Sequence, residues 1–260
     1  MKRNTRIFPD CPKPLLFGHR GYSQLAPENT MESYQLCREY GIPGIELDVH
    51  LCATGELVIT HDYNVERVSG YNGIVEQMSY AQICTIDVGS YKAPSFAGAR
   101  IPLLKEVFES FGTEFYYDIE LKEQGISDSG LVEDTLNMID AYDLGSRCMI
   151  SSFNPFSVRR FRKRCRNRIP TAVIYCISEQ VPKLLQKGFG RHIAHCGILK
   201  PDHTQITGKQ FTHDHTRRGY PIVTWVVDDD MEGKRLLDLG VTGIISNAPG
   251  NLLDLIATYQ

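Results

Sequence analysis

Short apolar runs alternate with helix-like stretches along the whole chain, and this alternation restricts the fold more than any other feature. Most of the runs are apolar throughout, which is typical of parallel strands covered by helices. The eight runs are residues 15–18, 44–49, 115–121, 148–153, 171–175, 196–199, 221–227 and 243–246. The eight helix candidates are residues 28–40, 102–111, 128–142, 154–167, 179–188, 207–218, 230–240 and 250–258. The alternation therefore predicts an α/β fold.

Eight strand–helix units in 260 residues predict a (β/α)8 TIM barrel, whose usual size is about 250 residues. A doubly wound open sheet would also alternate, but it would carry a glycine-rich dinucleotide loop after its first strand, and Gly18-His-Arg-Gly21 does not match one. The interval between the second strand and the second helix is long and contains a further strand at 56–60. We therefore expect one domain over 1–260, with a small insertion at about 62–100.

Composition excludes several other classes of protein. There are 28 Lys+Arg against 31 Asp+Glu, so the basic excess typical of nucleic-acid binders is missing. The longest apolar stretch is far below the length of a membrane-spanning helix, which predicts no transmembrane segment. The basic N-terminus has no apolar region behind it, and the eight cysteines form no C-x-x-C pair. These features indicate reduced thiols and a cytoplasmic protein, and they leave the oligomeric state open.

Acidic side chains lie within the second and third predicted strands. Glu46 and Asp48 are two residues apart, so both point to the same face, and Glu120 lies in the next strand. A carboxylate in an apolar strand is costly to bury without a cation or a hydrogen-bond donor. Three carboxylates supply hard oxygen ligands, which suit Mg²⁺ or Ca²⁺. The sequence therefore predicts a divalent metal site formed by Glu46, Asp48 and Glu120.

Cationic and titratable residues follow the same strands. Arg20 and Lys122 are placed to bind an anion, and a guanidinium can hold two phosphate oxygens at once. His19 and His61 titrate near neutrality, as general acid–base catalysis requires. Together with a metal, they favour phosphoester hydrolysis. The alternative interpretation is a set of unrelated ion pairs that close the top of the barrel.

Eight ordered motifs resemble those of the glycerophosphodiester phosphodiesterase family, from about residue 15 to residue 250. They are Gly18-His-Arg-Gly21, Ala26-Pro-Glu-Asn-Thr30, Glu46-Leu-Asp48, His61-Asp62, Glu120-Leu-Lys122, Ser152-Phe-Asn154, Trp225-Val-Val227 and Gly240-Val-Thr-Gly-Ile-Ile-Ser-Asn247. Each motif is weak alone, but the ordered set is specific. The resemblance implies a (β/α)8 barrel with an insertion in this interval. It also implies metal-dependent hydrolysis of small glycerophosphodiesters to glycerol 3-phosphate and an alcohol.

The resemblance also implies a role for each matching residue. His19 matches the general base and His61 the general acid, while Glu46, Asp48 and Glu120 match the metal ligands. Substrate contacts are implied for the phosphate-binding cations and for an aromatic wall of the pocket: Arg20, Lys122 and Trp225.

Three departures from the family pattern concern the surroundings of the site. The turn Ala53-Thr-Gly55 is one residue shorter, and Thr242 and Asn247 stand where the late motif has acidic residues. Lys200-Pro201 replaces a frequent His-Pro, which adds a cation near the site.

Two other functions remain open at this stage. A phospholipase D-like or phosphatidylinositol-type enzyme would act on a lipid, and a non-catalytic barrel would only bind phosphodiesters. The dense basic run at 159–168 is best interpreted as a solvated helix face, with a contact to anionic lipid headgroups as a second option.

Overall fold

Eight parallel strands form the centre of the molecule in the computed structural model, which describes residues 7–260. The strands are almost entirely buried, because helices cover one face and the barrel interior covers the other. They are β1 (Leu15–His19), β2 (Gly44–Leu51), β4 (Tyr116–Leu121), β5 (Cys148–Ser152), β6 (Thr171–Tyr175), β7 (Ile198–Pro201), β8 (Val223–Thr224) and β9 (Gly243–Ser246). A further strand, β3 (Leu57–Ile59), pairs antiparallel with β2.

The barrel closes between β7 and β8 through a few main-chain contacts. All other neighbours follow the order β7-β6-β5-β4-β2-β1-β9-β8. At the remaining seam, the Leu199 N–H donates to the Pro221 carbonyl over 3.1 Å, and the His203 N–H donates to the Trp225 carbonyl over 3.0 Å. The predicted (β/α)8 barrel is therefore confirmed.

Helices cover the outside of the barrel. They are α1 (Met31–Glu39), α2 (Glu66–Ser69), α3 (Tyr80–Ile83), α4 (Leu104–Phe111), α5 (Leu131–Ala141), α6 (Pro155–Arg164), α7 (Gly190–Ala194), α8 (Gly208–Phe211), α9 (Asp230–Leu239) and α10 (Pro249–Ala257). A π-helical turn, Thr212–Arg217, continues α8. Every helix within residues 7–260 is too short or too polar to cross a membrane.

The predicted helix over residues 179–188 is wrong. The segment forms consecutive turns, and the helix of this unit is α7. Pro182 removes one backbone donor, and Gly188 has a left-handed φ of 73°, which stops a helix. Leu184 also points to solvent, so the segment has no continuous apolar face to pack.

The amino end of the barrel is closed by the segment that precedes β1. Ile7 and Phe8 belong to the same buried cluster as Phe17, Met149 and other residues of the barrel interior. The Phe8 ring stacks on Tyr116 at the start of β4, with a centroid distance of 4.9 Å. Within residues 7–260, the amino end of the interior is therefore packed with side chains, and the catalytic candidates lie toward the carboxyl ends of the strands.

The predicted insertion lies between β3 and α4, as expected. It contains α2, α3 and two short 3-10 turns, Val75–Gln77 and Pro94–Phe96. Its valines, isoleucines and a methionine form a small core of their own against β3. This places the insertion on the carboxyl-end face, above β2.

Candidate active site

Strand register brings the three predicted carboxylates together. Residue pairing places His19 beside Glu46 across β1 and β2, and Asp48 beside Glu120 across β2 and β4. One oxygen from each carboxylate lies within 4.8 Å of the others, and all three residues are buried. The alternation of side chains along each strand and the register between neighbouring strands are sufficient to bring the three carboxylates together.

The triad fits a divalent cation in its donor chemistry and its electrostatics. Burial and the neighbouring Asp48 raise the pKa of Glu46. Burial alone would raise the pKa of Asp48 too, but the Lys122 and Arg20 cations outweigh burial and hold that pKa below its usual range. Asp48 Oδ1 is buried without a directed hydrogen bond, although the Lys122 ammonium lies 3.1 Å away. Three hard oxygen donors, one of them with a free lone pair, suit Mg²⁺ or Ca²⁺.

Two cations connect the carboxylates. Lys122 Nζ lies 2.8 Å from Glu120 Oε1 and 3.1 Å from Asp48 Oδ1. Arg20 Nε lies 3.4 Å from Asp48 Oδ2, and Arg20 Nη1 lies 2.7 Å from Glu28 Oε1. These ion pairs share Asp48 and meet at one point, so they are not the unrelated pairs of the packing alternative.

His19 is held in one orientation by Asn247. Its Nδ1 donates to Asn247 Oδ1 over 2.7 Å, and the amide orientation follows from the bond that Asn247 Nδ2 donates to Asp228. His19 Nε2 then faces Glu46 at 3.9 Å. Burial, with the nearby Arg20 cation, lowers the pKa of His19 to about 3. The imidazole is therefore neutral at physiological pH, with Nε2 able to accept a proton.

His61 follows β3 on the other side of the carboxylates. Its Nδ1 donates to Asp62 Oδ1 over 2.7 Å, and about a third of the side chain is exposed. The hydrogen bond with His61, together with Arg67, holds the pKa of Asp62 well below its usual range. The Asp62 carboxylate therefore orients the His61 ring, with Nδ1 engaged and Nε2 as the nitrogen for proton transfer.

Trp225 and Lys200 form the β7–β8 side of the mouth. The Trp225 indole N–H donates to the Lys200 carbonyl over 3.1 Å, and its ring contacts Phe153 edge-on at 5.8 Å. Lys200 is fully buried, with Nζ 2.7 Å from Asp118 Oδ2 and 4.0 Å from Glu46 Oε1. The extra cation expected from the sequence therefore lies directly behind the carboxylates.

Asp118 was not predicted as a site residue, and Glu28 was only a minor candidate for one, as part of the motif Ala26-Pro-Glu-Asn-Thr30. Asp118 pairs with Glu46 across β2 and β4, and its position two residues before Glu120 was the available signal. Glu28 binds both Arg20 and the more exposed Arg67. It lies in a loop, where no periodicity predicts the direction of a side chain.

Known proteins are similar to this chain over most of its length. A model of the glycerophosphoryl diester phosphodiesterase family matches residues 19–251. A glycerophosphodiester phosphodiesterase of Caldanaerobacter subterraneus subsp. tengcongensis is 30% identical over 94% of this chain and 98% of its own. An Oleispira antarctica phosphodiesterase, solved in complex with the product sn-glycerol-3-phosphate, is 25% identical with a TM-score of 0.78, covering 94% of this chain and 97% of its own. A glycerophosphodiester phosphodiesterase from Agrobacterium tumefaciens is 22% identical, with a TM-score of 0.76 over 94% and 99% of the two chains, which shows a shared fold.

Proposed function

The chain belongs to the glycerophosphoryl diester phosphodiesterase family, and we propose that it hydrolyses glycerophosphodiesters to glycerol 3-phosphate and an alcohol with two histidines and a divalent cation. The observation that carries this proposal is one buried carboxylate triad between a neutral His19 and an Asp62-bound His61. The product found on the Oleispira relative supports the same substrate class.

The metal and phosphate contacts have separate residues in this proposal. Glu46, Asp48 and Glu120 would hold Mg²⁺ or Ca²⁺, which when bound would polarise the phosphoryl group. Arg20 and Lys122 already lie beside Asp48, so their free donors face the same space. They would bind the phosphoryl oxygens, on which negative charge increases in the transition state.

The histidines divide the proton transfers. His19 Nε2 would accept a proton from the water molecule whose oxygen attacks phosphorus as the bond from phosphorus to the alcohol oxygen breaks. Asn247 occupies Nδ1 and burial keeps the ring neutral, so Nε2 is the nitrogen that can take this proton. His61 would donate a proton to the departing alkoxide from Nε2, and Asp62 would hold the ring in place through Nδ1. The alcohol leaves neutral, and the two imidazoles return to their starting states by exchanging one proton with water.

A cytoplasmic location is the compartment we propose. All eight cysteines are free thiols and six of them are buried, which suits a reducing environment.

The test is a coupled assay for glycerol 3-phosphate release from several glycerophosphodiesters, with and without a chelator. The cation held by the triad would polarise the phosphoryl group, so we expect EDTA to abolish turnover and Mg²⁺ or Ca²⁺ to restore it. Full activity after rigorous chelation would contradict the metal assignment. Binding of the diesters without any release of product would favour the non-catalytic barrel.

A further inference from the structure

Exposed large apolar and aromatic side chains concentrate at the catalytic end of the barrel. Between Ile7 and Gln260, ten such side chains are exposed. Nine of the ten lie in segments that leave the carboxyl ends of strands, or in the first turn of the helix that follows. The tenth, Tyr40, ends α1 at the opposite end. Single exposed apolar residues are ordinary, but a group on one face indicates an interaction surface.

Five of the nine lie together beside β4, β5 and β6, which are neighbours in the barrel. We call them the apolar rim: Ile126, Phe156, Ile177, Leu184 and Phe189. Their exposed fractions run from 39% for Phe156 to 71% for Ile126, so each side chain presents a large apolar area to water.

Direct contacts hold the segments of the apolar rim against one another. Asn154 Nδ2 donates to the Gly125 carbonyl over 2.7 Å, and Arg160 Nη1 donates to the Ile126 carbonyl over 2.8 Å. These bonds fix the loop after β4 to the start of α6. On the other side, a Cβ at Gly190 would lie only 3.4 Å from Pro155, so the residues around Phe189 also pack against α6. The loops that carry Ile126 and Phe189 are therefore fixed against α6, which carries Phe156.

Uncompensated positive charge flanks the apolar rim. Lys183 and Lys187 are exposed on either side of Leu184 and have no ion-pair partner among the described residues. Glu179 is the single acid of segment 176–189. The basic run on α6 contributes less than its sequence suggests, because Arg160 binds Glu123 and Arg164 binds Asp128.

We propose that the apolar rim, with Lys183 and Lys187, docks the mouth of the barrel onto an anionic phospholipid surface. The inference rests on the proposed function, since such a surface presents phosphodiester groups to the site beneath. The five side chains lie on three separate connections and form an uneven surface, to which a fluid lipid interface can adapt. Asp229 and Asp230, at the start of α9, lie in a different sector of the mouth, so the molecule would approach with its β4–β6 side first.

Vesicle cosedimentation in EDTA, where no turnover is expected, tests the docking surface. We expect the protein to bind vesicles of equal phosphatidylglycerol and phosphatidylcholine more tightly than pure phosphatidylcholine, and to lose binding as salt rises. The double variant Phe156→Ser/Leu184→Ser should bind about tenfold more weakly, because its apolar contacts are gone. Lys183→Gln/Lys187→Gln should weaken binding roughly 25-fold, about fivefold for each lysine.

Two matched controls lie away from this surface. Tyr40→Ser removes an exposed aromatic ring at the opposite end. Arg166→Gln removes an exposed cation that lies just beyond the end of α6 and has no ion-pair partner within residues 7–260. Both should bind vesicles as the unaltered protein does. Failure of the unaltered protein to bind anionic vesicles, or equal losses in controls and rim variants, would overturn the proposal.

Kinetics on a water-soluble glycerophosphodiester without vesicles separates this proposal from the proposed function. The rim variants should keep the kcat/KM of the unaltered protein there, because none of the substituted residues belongs to the catalytic site. Loss of soluble-diester hydrolysis by the unaltered protein would contradict the proposed function, whatever the vesicle result. If the same substitutions instead dissociate a dimer in sedimentation velocity and leave vesicle binding intact, the rim contacts a second copy and the lipid proposal is wrong.

Discussion

The side chain of Asn247 determines which nitrogen of His19 faces the carboxylates. The amide oxygen of Asn247 accepts a hydrogen bond from the Nδ1–H group and adds no charge, whereas the family pattern has an acidic residue at this position. A carboxylate there would stabilise the imidazolium form and raise the pKa of His19. A general base works only when deprotonated, so the acidic limb of the kcat/KM profile should move to higher pH in Asn247→Asp, by about one pH unit.

The control for this prediction addresses Asp228, which accepts hydrogen bonds from the Asn247 side chain and main chain. The exchange variant Asn247→Asp/Asp228→Asn keeps the number of carboxylates constant and should show the same upward shift. An unchanged limb, or one that moves to lower pH, would remove Asn247 from the control of His19.

Arg20 tests phosphate binding against a purely structural ion pair. Its guanidinium already pairs with Glu28 and Asp48, so Arg20→Lys would keep the charge but lose the planar fork that holds two oxygens. We expect kcat/KM to fall roughly tenfold to a thousandfold, about 1.4 to 4 kcal/mol, largely in kcat. Arg164→Lys is the control, since Arg164 also pairs with two carboxylates, Asp128 and Glu133, but lies at the end of α6, and its kcat/KM should change by less than about threefold. Near-normal kinetics of Arg20→Lys, with normal melting, would return Arg20 to a structural role.

The sequence predicts which residues form the site better than it predicts which other residues each of them contacts. Glu46, Asp48 and Glu120 follow from two-residue spacing on neighbouring strands, which alternation alone places on one face. The contacts of His19 with Asn247 and of Arg20 with Glu28 join residues from loops. Side-chain direction in a loop depends on backbone geometry that no periodicity encodes.

At the scale of elements, the strands were predictable because buried parallel strands are apolar on both faces. β7 and β8 are the exceptions: β7 starts at Ile198, two residues later than expected, and β8 is confined to Val223–Thr224 within the predicted run 221–227. β7 also includes Lys200, whose charge is neutralised by Asp118. The segment 179–188 was mistaken for a helix because its composition suits one. Its exposed Leu184 belongs to a surface feature that secondary-structure patterns do not describe.

Asp87 organises the second half of the insertion. Its carboxylate accepts hydrogen bonds from the Ser90 hydroxyl and from the N–H groups of Ser90, Gly89 and Gly98, and these bonds lower the pKa of Asp87. The folded form has the lower pKa, so this stabilisation is complete above about pH 4, the unfolded value, and is lost as pH falls further.

We expect Asp87→Ala to speed amide exchange at Gly89, Ser90 and Gly98 by about tenfold or more at neutral pH, with the barrel strands unaffected. Asp254→Ala removes an exposed carboxylate from α10 that has no hydrogen-bond or ion-pair partner in the described part of the chain, and it should leave exchange unchanged. Normal protection of the three amides in Asp87→Ala would contradict the assigned role.

For the whole molecule, we propose that the insertion and the barrel unfold together as one domain. The insertion core rests on β3, and β3 is joined to β2 and, through the Ile59 N–H and the Pro102 carbonyl, to the start of α4. Far-ultraviolet circular dichroism and the fluorescence of Trp225, the single tryptophan, should therefore report one coincident urea transition. Val68→Ala, in the insertion core, should lower both midpoints equally, and a separate early transition would indicate two units.

Side chains of the buried cluster that includes Ile7 and Phe8 fill the amino end of the barrel interior, so the site is reached from the carboxyl ends of the strands. Water, substrate and both products must therefore pass through the mouth of the barrel, because the interior packed by residues 7–260 offers no second route. Substrate binding and product release therefore alternate, and the phosphate-bearing product leaves along the route by which the next phosphate-bearing substrate enters. A surface bound against that opening would therefore affect substrate entry and product release at the same time.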